Sequence, residues 1–116
     1  MDMIERHVKM IELVAERGEI ETGQLARLLN TSEVTVRNDL NTLSKKGILA
    51  RRRGYATLPN PDDTNYHMAL HYDAKLKIAA AAAQRVRDGE TIIVGTGSTC
   101  AMFAAQVAET RRNVTI

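Results

Sequence analysis

A segment near the end of the chain combines glycines with hydroxyl side chains, a combination that suits a bound anion. Residues 92–100 read IIVGTGSTC, in which a short apolar run precedes the loop. Glycines let backbone amides approach an anion, and a helix that follows directs further N–H groups at the same point. The pattern predicts a phosphate site made by Gly95, Thr96, Gly97, Ser98 and Thr99. A strand-to-helix turn without a ligand is the alternative that so short a motif leaves open.

A second group of candidate residues lies in a basic stretch. Residues 30–57 hold six lysine and arginine residues against two acidic ones, whereas residues 1–29 carry two net negative charges and residues 58–116 are balanced. Such a local excess of positive charge favours a polyanionic partner. On charge alone, a solvated helix end is the alternative.

Spacing within this stretch predicts a helix with one buried side and one polar side. At 100° per residue, Val36, Leu40 and Leu43 share the buried side. In a DNA major groove a valine suits a thymine methyl group, an arginine suits guanine, and one of two asparagines suits adenine. The polar side and its edges, which we interpret as a base-reading surface, carry Val34, Thr35, Arg37, Asn38, Asn41 and Lys45.

The start of this helix offers hydroxyl groups to a phosphate. Thr31, Ser32 and Thr35 lie where free backbone amides also point at an anion. For each residue taken singly, an ordinary exposed helix position is an equal alternative. Asp39 lies beside the buried side, so we interpret it as structural, paired with Arg27 or with a backbone amide.

Three helices are predicted to position the basic stretch. Apolar spacing predicts the first over residues 3–17, ended by Gly18. Thr22 is predicted to cap a second helix, and Ser32 to cap the third, which runs to Gly47. Three short helices with a tight turn before the third are typical of a helix-turn-helix.

A hairpin is predicted after the third helix. Residues 48–51 and 55–58 read as two strands around a glycine-containing turn, which would form the wing of a winged helix. The wing residues Arg51, Arg52 and Arg53 are predicted to contact the DNA backbone, with minor-groove insertion left open. A charged edge that prevents sheet aggregation is a compatible alternative.

The second half of the chain has a different organisation. Proline and short polar residues predict a linker at 59–72, and Asp73 is predicted to cap a helix through Val86. A short buried strand at 91–94, a helix at 99–109 and a further strand from residue 114 would follow. The fold class is therefore an α+β winged helix-turn-helix domain at 1–58, followed at 73–116 by the incomplete opening of a parallel α/β domain of a longer protein.

Composition bounds the remaining classes of function. Cys100 is the single cysteine, which excludes an intrachain disulfide and favours a reducing cytoplasm. No histidine–acid pair accompanies it, so we interpret Cys100 as a buried small residue rather than a nucleophile. The N-terminus lacks the apolar core of a signal peptide, and the longest apolar run, at 78–83, is far below the roughly 20 residues of a membrane span. No catalytic, metal-binding or cofactor-binding residue is predicted.

The segment TSEVTVRNDLNTLSKKGILARRRGYA, residues 31–56, resembles the signature of the DeoR family of bacterial sugar-operon repressors. Asn38, Arg53 and Tyr55 depart from that signature, which has arginine, histidine and glycine at these positions. The first departure bears on base preference, and the other two bear on the shape of the wing. The positions that match are Ser32, Thr35, Arg37, Asp39, Leu40, Leu43, Gly47, Arg51, Gly54 and Ala56.

The resemblance extends to the second half and implies a sugar-phosphate sensor related to ribose phosphate isomerases and glucosamine phosphate deaminases. It implies that Lys75 contacts the ligand, although an exposed helical lysine is the alternative. Gly95 stands where the family usually has aspartate, which makes the loop similar to the Gly-Thr-Gly-Ser-Thr loop of the isomerases.

The resemblance implies a transcriptional regulator that binds a double-stranded DNA operator. We interpret it as a repressor of a carbohydrate-utilisation operon, relieved by a phosphorylated sugar and acting as a homo-oligomer on two half-sites. The alternative is a ribose phosphate isomerase-like enzyme with an appended winged helix, which needs an acid–base pair near the loop. Asp88 and Glu90 lie at the opposite end of the predicted strand, so we expect no catalysis. A DNA-binding module without a working sensor is a third alternative.

Overall fold

The computed structural model describes residues 1–62 and 66–116, so positions 63–65 of the predicted linker lie outside the described residues. The chain divides into two compact units, Met1–Tyr72 and Asp73–Ile116. In the described ranges, no helix combines the length and the apolar character needed to cross a membrane.

The first unit contains the three predicted helices and a small sheet. Its elements are α1 (Met3–Arg17), β1 (Glu19–Glu21), α2 (Thr22–Leu28), α3 (Glu33–Lys45), β2 (Ala50–Arg52) and β3 (Tyr55–Thr57), followed by a 3-10 turn at Tyr66–Met68.

Helix α1 begins and ends as the sequence predicts. Asp2 caps it, because its Oδ1 accepts a hydrogen bond of 2.8 Å from the Glu5 N–H. Gly18 ends it with φ +80°, and its N–H donates to the Val14 carbonyl at 2.7 Å. A side chain is strained at that φ, so glycine is the residue that suits this stop.

The start of α2 differs from the prediction. Thr22 is the first helical residue, and Glu21 occupies the cap position without a side-chain cap hydrogen bond. The Thr22 N–H donates instead to the Gly54 carbonyl in the hairpin turn, at 2.9 Å. Because the chain enters α2 directly from β1, the backbone of the hairpin satisfies one of the first four N–H groups of this helix.

Helix α3 ends two residues earlier than predicted, at Lys45. The N–H groups of Ile48 and Leu49 donate to the Leu43 carbonyl, at 3.0 and 3.5 Å. Both side chains are buried, so these two residues cover the end of the helix instead of joining the sheet. The second strand therefore begins at Ala50, and the prediction of a strand from residue 48 is wrong at that end.

The sheet has three antiparallel strands in the order β1–β3–β2. The predicted hairpin is β2–β3, and β1 is an additional strand that the sequence did not predict. Ala56 in the central strand pairs with Ile20 on one side and with Arg51 on the other. One hydrophobic core joins the helices to the sheet, and its largest fully buried side chains are Met10, Ile11, Val14, Leu25, Val36, Leu40, Leu43 and Leu49.

Part of the predicted linker packs on the first unit. Ala69 is buried in the same core, and Met68 packs against it from the 3-10 turn.

The second unit contains two helices, α4 (Tyr72–Ala83), of which Tyr72 belongs to the first unit, and α5 (Ser98–Thr110). Asp73 lies in the first turn of α4 rather than before it, and pairs with Lys77 at 3.1 Å. Helix α4 ends three residues before the predicted Val86, which is buried beyond the helix against Ala83 and Val107.

The strand predicted at 91–94 is wrong in extent and in burial. A single parallel bridge joins Thr91 to Thr115, in which the Ile92 N–H donates to the Thr115 carbonyl at 2.8 Å. Ile93 is 100% exposed, and Ile92 is half-buried. A parallel strand is buried when strands and helices cover it on both sides. The described residues supply only one neighbouring strand segment, at Thr115, so the predicted strand stays largely uncovered.

Candidate nucleic-acid interface

The outer surface of α3 carries the base-reading residues that the sequence predicts. Val36, Leu40 and Leu43 are buried as expected, which fixes the orientation of the helix against the core. Val34 is 63% exposed, so its side chain is available on this surface. The polar residues exposed on the same surface are Arg37, Asn38, Asn41 and Lys45.

Two of the three predicted phosphate-binding hydroxyls, those of Ser32 and Thr35, are in contact at the start of α3. Ser32 caps the helix, because its Oγ accepts from the Thr35 N–H at 3.1 Å. The same hydroxyl donates to Thr35 Oγ1 at 3.0 Å, which leaves the Thr35 hydroxyl hydrogen for another acceptor. Thr31 is half-buried, and its N–H donates to the Ala26 carbonyl at 3.0 Å. Ser32 therefore has a structural role in addition to any contact with phosphate.

Asp39 is a buried anchor between α3 and α1. Arg6 donates to both carboxylate oxygens, from Nε to Oδ2 and from Nη2 to Oδ1 at 3.0 Å, and His7 Nε2 donates to Oδ1 at 3.0 Å. Burial alone would raise the pKa of Asp39, but the hydrogen bonds from Arg6 and His7 outweigh it and hold that pKa below its ordinary value. The anchor fixes α3 to α1.

The predicted partner of Asp39 was wrong. Arg27 belongs to α2 and lines an open groove with Gly23 and Glu33, and Asp39 does not line that groove. Arg6 and His7, which sequence reasoning missed, are more than 30 positions away in the chain, so no local spacing indicates the contact.

The wing brings one of its three arginines onto α3. Arg51 Nη1 donates to Asn41 Oδ1 at 2.7 Å. Arg52 pairs across the hairpin with Tyr55, and Arg53 lies in the turn; all three arginines are exposed. The hairpin and α3 therefore form one continuous polar and cationic surface.

The predicted phosphate loop of the second unit is exposed and leads directly into a helix. Gly95, Thr96 and Gly97 are exposed, and Ser98 and Thr99 are the half-buried first residues of α5. Gly97 precedes the helix with φ +119°, a conformation that side chains rarely adopt. None of the described side chains caps α5, so the first N–H groups of this helix lie beside the loop.

Two other predicted residues of this unit have different surroundings. Lys75 is half-buried in α4, and burial lowers the pKa of its ammonium group. Cys100 is half-buried rather than buried, because it lies in the first turn of α5 beside the exposed loop. Among the described residues, no cluster of histidine, cysteine and acidic side chains has the arrangement of a metal site.

Comparison with known proteins gives two adjoining matches. A model described as the DeoR-like helix-turn-helix domain matches residues 6–62, and a model described as the DeoR C terminal sensor domain matches residues 70–116. The chain belongs to the DeoR family. The resemblance stated from the motifs of α3 and the wing is confirmed.

Curated relatives of this DeoR-family chain are named as transcriptional regulators. The HTH-type transcriptional regulator UlaR of Shigella sonnei (strain Ss046) and that of Escherichia coli (strain K12 / DH10B) are each 30% identical over 112 residues. The match covers 92% of this chain and 45% of each relative, so the chain spans about half the length of the curated relatives it matches. No solved structure matches the chain significantly.

Proposed function

We propose that this DeoR-family chain regulates transcription by placing α3 in the major groove of an operator. The observation that carries the proposal is the continuous exposed surface of α3 and the wing, joined by the Arg51–Asn41 hydrogen bond. On it, Arg37 reads guanine, Asn38 reads adenine and Val34 contacts a thymine methyl group.

Phosphate contacts surround this base-reading surface. Thr31, Ser32 and Thr35 lie at the N-terminus of α3, where hydroxyl and backbone N–H groups suit a phosphate oxygen. Lys45 lies near the other end of the helix, and Arg52 and Arg53 extend the cationic surface along the wing. These residues supply affinity that depends on salt rather than on sequence.

The regulatory part of the proposal concerns the second unit. Residues 73–116 are the opening of a ribose phosphate isomerase-like sensor, residues 1–58 form the DNA-binding domain, and residues 59–72 connect them. A phosphorylated sugar binds at Lys75 and at the loop formed by residues 95–99. Its binding favours a state that fits the operator poorly, with a coupling energy of ~1–3 kcal/mol. The regulator is a repressor of a carbohydrate-utilisation operon and acts as a homo-oligomer on paired half-sites.

A selection experiment tests the DNA-binding function. The chain is used to enrich duplexes from a randomised library, and its affinities for an enriched duplex and for a scrambled one are compared by fluorescence anisotropy. Arg37→Ala is expected to weaken binding to the enriched duplex by ~1–3 kcal/mol and to leave scrambled binding nearly unchanged. Arg85→Ala, which removes an exposed arginine from the second unit, is the matched control. Equal losses on both duplexes would overturn the base-reading role of Arg37.

A release experiment tests the sensor function in the protein at its native length. Ribose 5-phosphate and glucosamine 6-phosphate are titrated into the complex with the enriched duplex, and the unphosphorylated sugars are the control. The phosphate site in the loop of residues 95–99 is supported if a phosphorylated sugar releases the wild-type protein from DNA but does not release the Thr96→Val/Thr99→Val double variant. Release that persists in the variant would contradict it. Isomerisation of ribose 5-phosphate by the protein would favour the enzyme alternative.

A further inference from the structure

Two residues that both belong to the DNA-binding surface are hydrogen-bonded to each other. Arg51 Nη1 lies 2.7 Å from Asn41 Oδ1. A guanidinium group only donates, so the atom of Asn41 that faces it is the carboxamide oxygen, and the NH2 group points away. Reading adenine would need that oxygen to accept from N6 while the NH2 group donates to N7. The hydrogen bond to Arg51 turns this oxygen toward the wing.

Strand register explains why Arg51, of the three wing arginines, reaches α3. Arg51 is paired with Ala56, and Arg52 is paired with Tyr55. Directly paired residues share a face of the sheet, and successive residues alternate between the two faces. Ala56 is fully buried and Tyr55 is exposed, so Arg51 leaves the sheet on the side of the core and α3. Arg52 leaves it on the opposite side.

The guanidinium of Arg51 retains the chemistry for a base contact while it is held. Nη1 uses one of the five N–H donors of the group, and the edge formed by Nε and Nη2 can still donate two parallel hydrogen bonds. Two parallel donors match O6 and N7 of guanine. Because Asn41 lies on the exposed face of α3, the held guanidinium lies beside the residues that would face the base edges.

We propose that Asn41 is a positioning residue that holds Arg51 over α3, and that Arg51 reads a guanine in the major groove. This inference rests on the proposed function, since it requires α3 to enter that groove. It assigns adenine recognition to Asn38 rather than to Asn41. It also gives Arg51 a base-reading role, whereas Arg52 and Arg53 contact phosphate.

The test measures base preference rather than affinity alone. Duplexes enriched by the wild-type chain are substituted one base pair at a time, and the ratio of dissociation constants at each position gives a specificity profile. Arg51→Ala is expected to abolish the preference at one G·C position, a loss of about 5- to 150-fold in discrimination. Asn41→Ala is expected to reduce discrimination at that same position, and the double variant to lose no more than Arg51→Ala does. Circular dichroism melting of each variant checks that the fold is retained.

A conservative variant distinguishes positioning from base reading. Asn41→Asp keeps an oxygen that accepts from Arg51 but cannot donate to adenine N7. We expect it to retain the G·C preference, and a uniform penalty from its added charge cancels in the ratio. The inference is overturned if Asn41→Ala and Asn41→Asp both lose the preference for A·T at one position. It is also overturned if Arg51→Ala weakens binding to all duplexes equally. A wild-type chain that enriches no duplex would instead overturn the proposed function.

Discussion

Replacing Asp39 with asparagine tests how firmly α3 is anchored to α1. The Asp39 side chain is 7% exposed, and its carboxylate accepts three hydrogen bonds, two from Arg6 and one from His7. An asparagine of the same shape presents an NH2 group to one of these donors and removes the negative charge from beside Arg6. Breaking a buried ion pair costs ~3–5 kcal/mol. Arg6 remains 18% exposed and His7 12% exposed, so both hydrate in part, and we expect a loss of about 3 kcal/mol.

Urea unfolding at pH 7, followed by circular dichroism, measures this loss. The m-value should stay constant, since the change alters stability rather than the surface exposed on unfolding. Glu33→Gln is the matched control, because it removes an exposed carboxylate from the same helix and should change stability by less than ~0.5 kcal/mol.

The same variant has a pH dependence of predictable sign. The pKa of Asp39 is lowered in the folded state, so its stabilisation is fully present above the unfolded-state value of about 3.9. The stabilisation is lost as the pH falls through the folded-state pKa, where wild-type Asp39 becomes as neutral as asparagine. The difference in unfolding free energy between the two proteins should therefore shrink toward zero below about pH 4. A difference under ~1 kcal/mol at pH 7, or one that persists unchanged to pH 2.5, would refute the anchor.

Other positions give predictions that separate backbone, capping and phosphate effects. Ser32→Ala removes the hydroxyl that caps α3 and should lower the free energy of unfolding by ~1 kcal/mol in urea; an unchanged value would contradict the cap. Gly18→Ala should lower the melting temperature, because φ is +80° there, at a cost of ~1–3 kcal/mol. Gly23→Ala should raise the melting temperature, because alanine has a helix propensity up to ~1 kcal/mol more favourable than that of glycine and the tightest contact of the new methyl group is the movable carboxylate of Glu33. A Gly18→Ala protein that melts at a higher temperature than the Gly23→Ala protein would argue against both predictions. Arg53→Ala should weaken binding to the enriched and scrambled duplexes equally and reduce the slope of log K against log salt by about 1. A loss of affinity confined to the enriched duplex would instead show that Arg53 reads a base.

Periodicity predicted the helices of the first unit because their burial pattern is local. The bounds of α1 and the cap at Ser32 are confirmed, as is the inward orientation of Val36 in α3. Strand β1 was missed, because three residues with Ile20 as the single buried member carry too little alternation to separate a strand from a loop. Its pairing is a tertiary property of a hairpin that lies more than 30 residues further along the chain.

Side-chain partners were predicted less well than elements. The isolation of Asp39 beside the buried face correctly indicated a structural role, but the pairing with Arg6 depends on how α1 crosses α3. In the second unit, the apolar run before the loop predicted a buried strand, and the structure gives one parallel bridge with Ile93 fully exposed. Apolar composition predicts the tendency to be buried, whereas burial itself depends on which segments pack on either side.

The wing shows why three consecutive arginines differ in role although the sequence makes them equivalent. A shift of one residue in the β2–β3 register would move Arg51 away from α3 and bring Arg52 onto it, because facing alternates along a strand. The Gly54 turn sets this register, and β1 stabilises it by pairing with the other edge of β3. On the proposed function, β1 contributes to sequence recognition without facing DNA, since it holds the strand that determines which arginine reaches Asn41. A substitution that weakens β1 should therefore reduce discrimination at the G·C position read by Arg51 more than at the position read by Arg37.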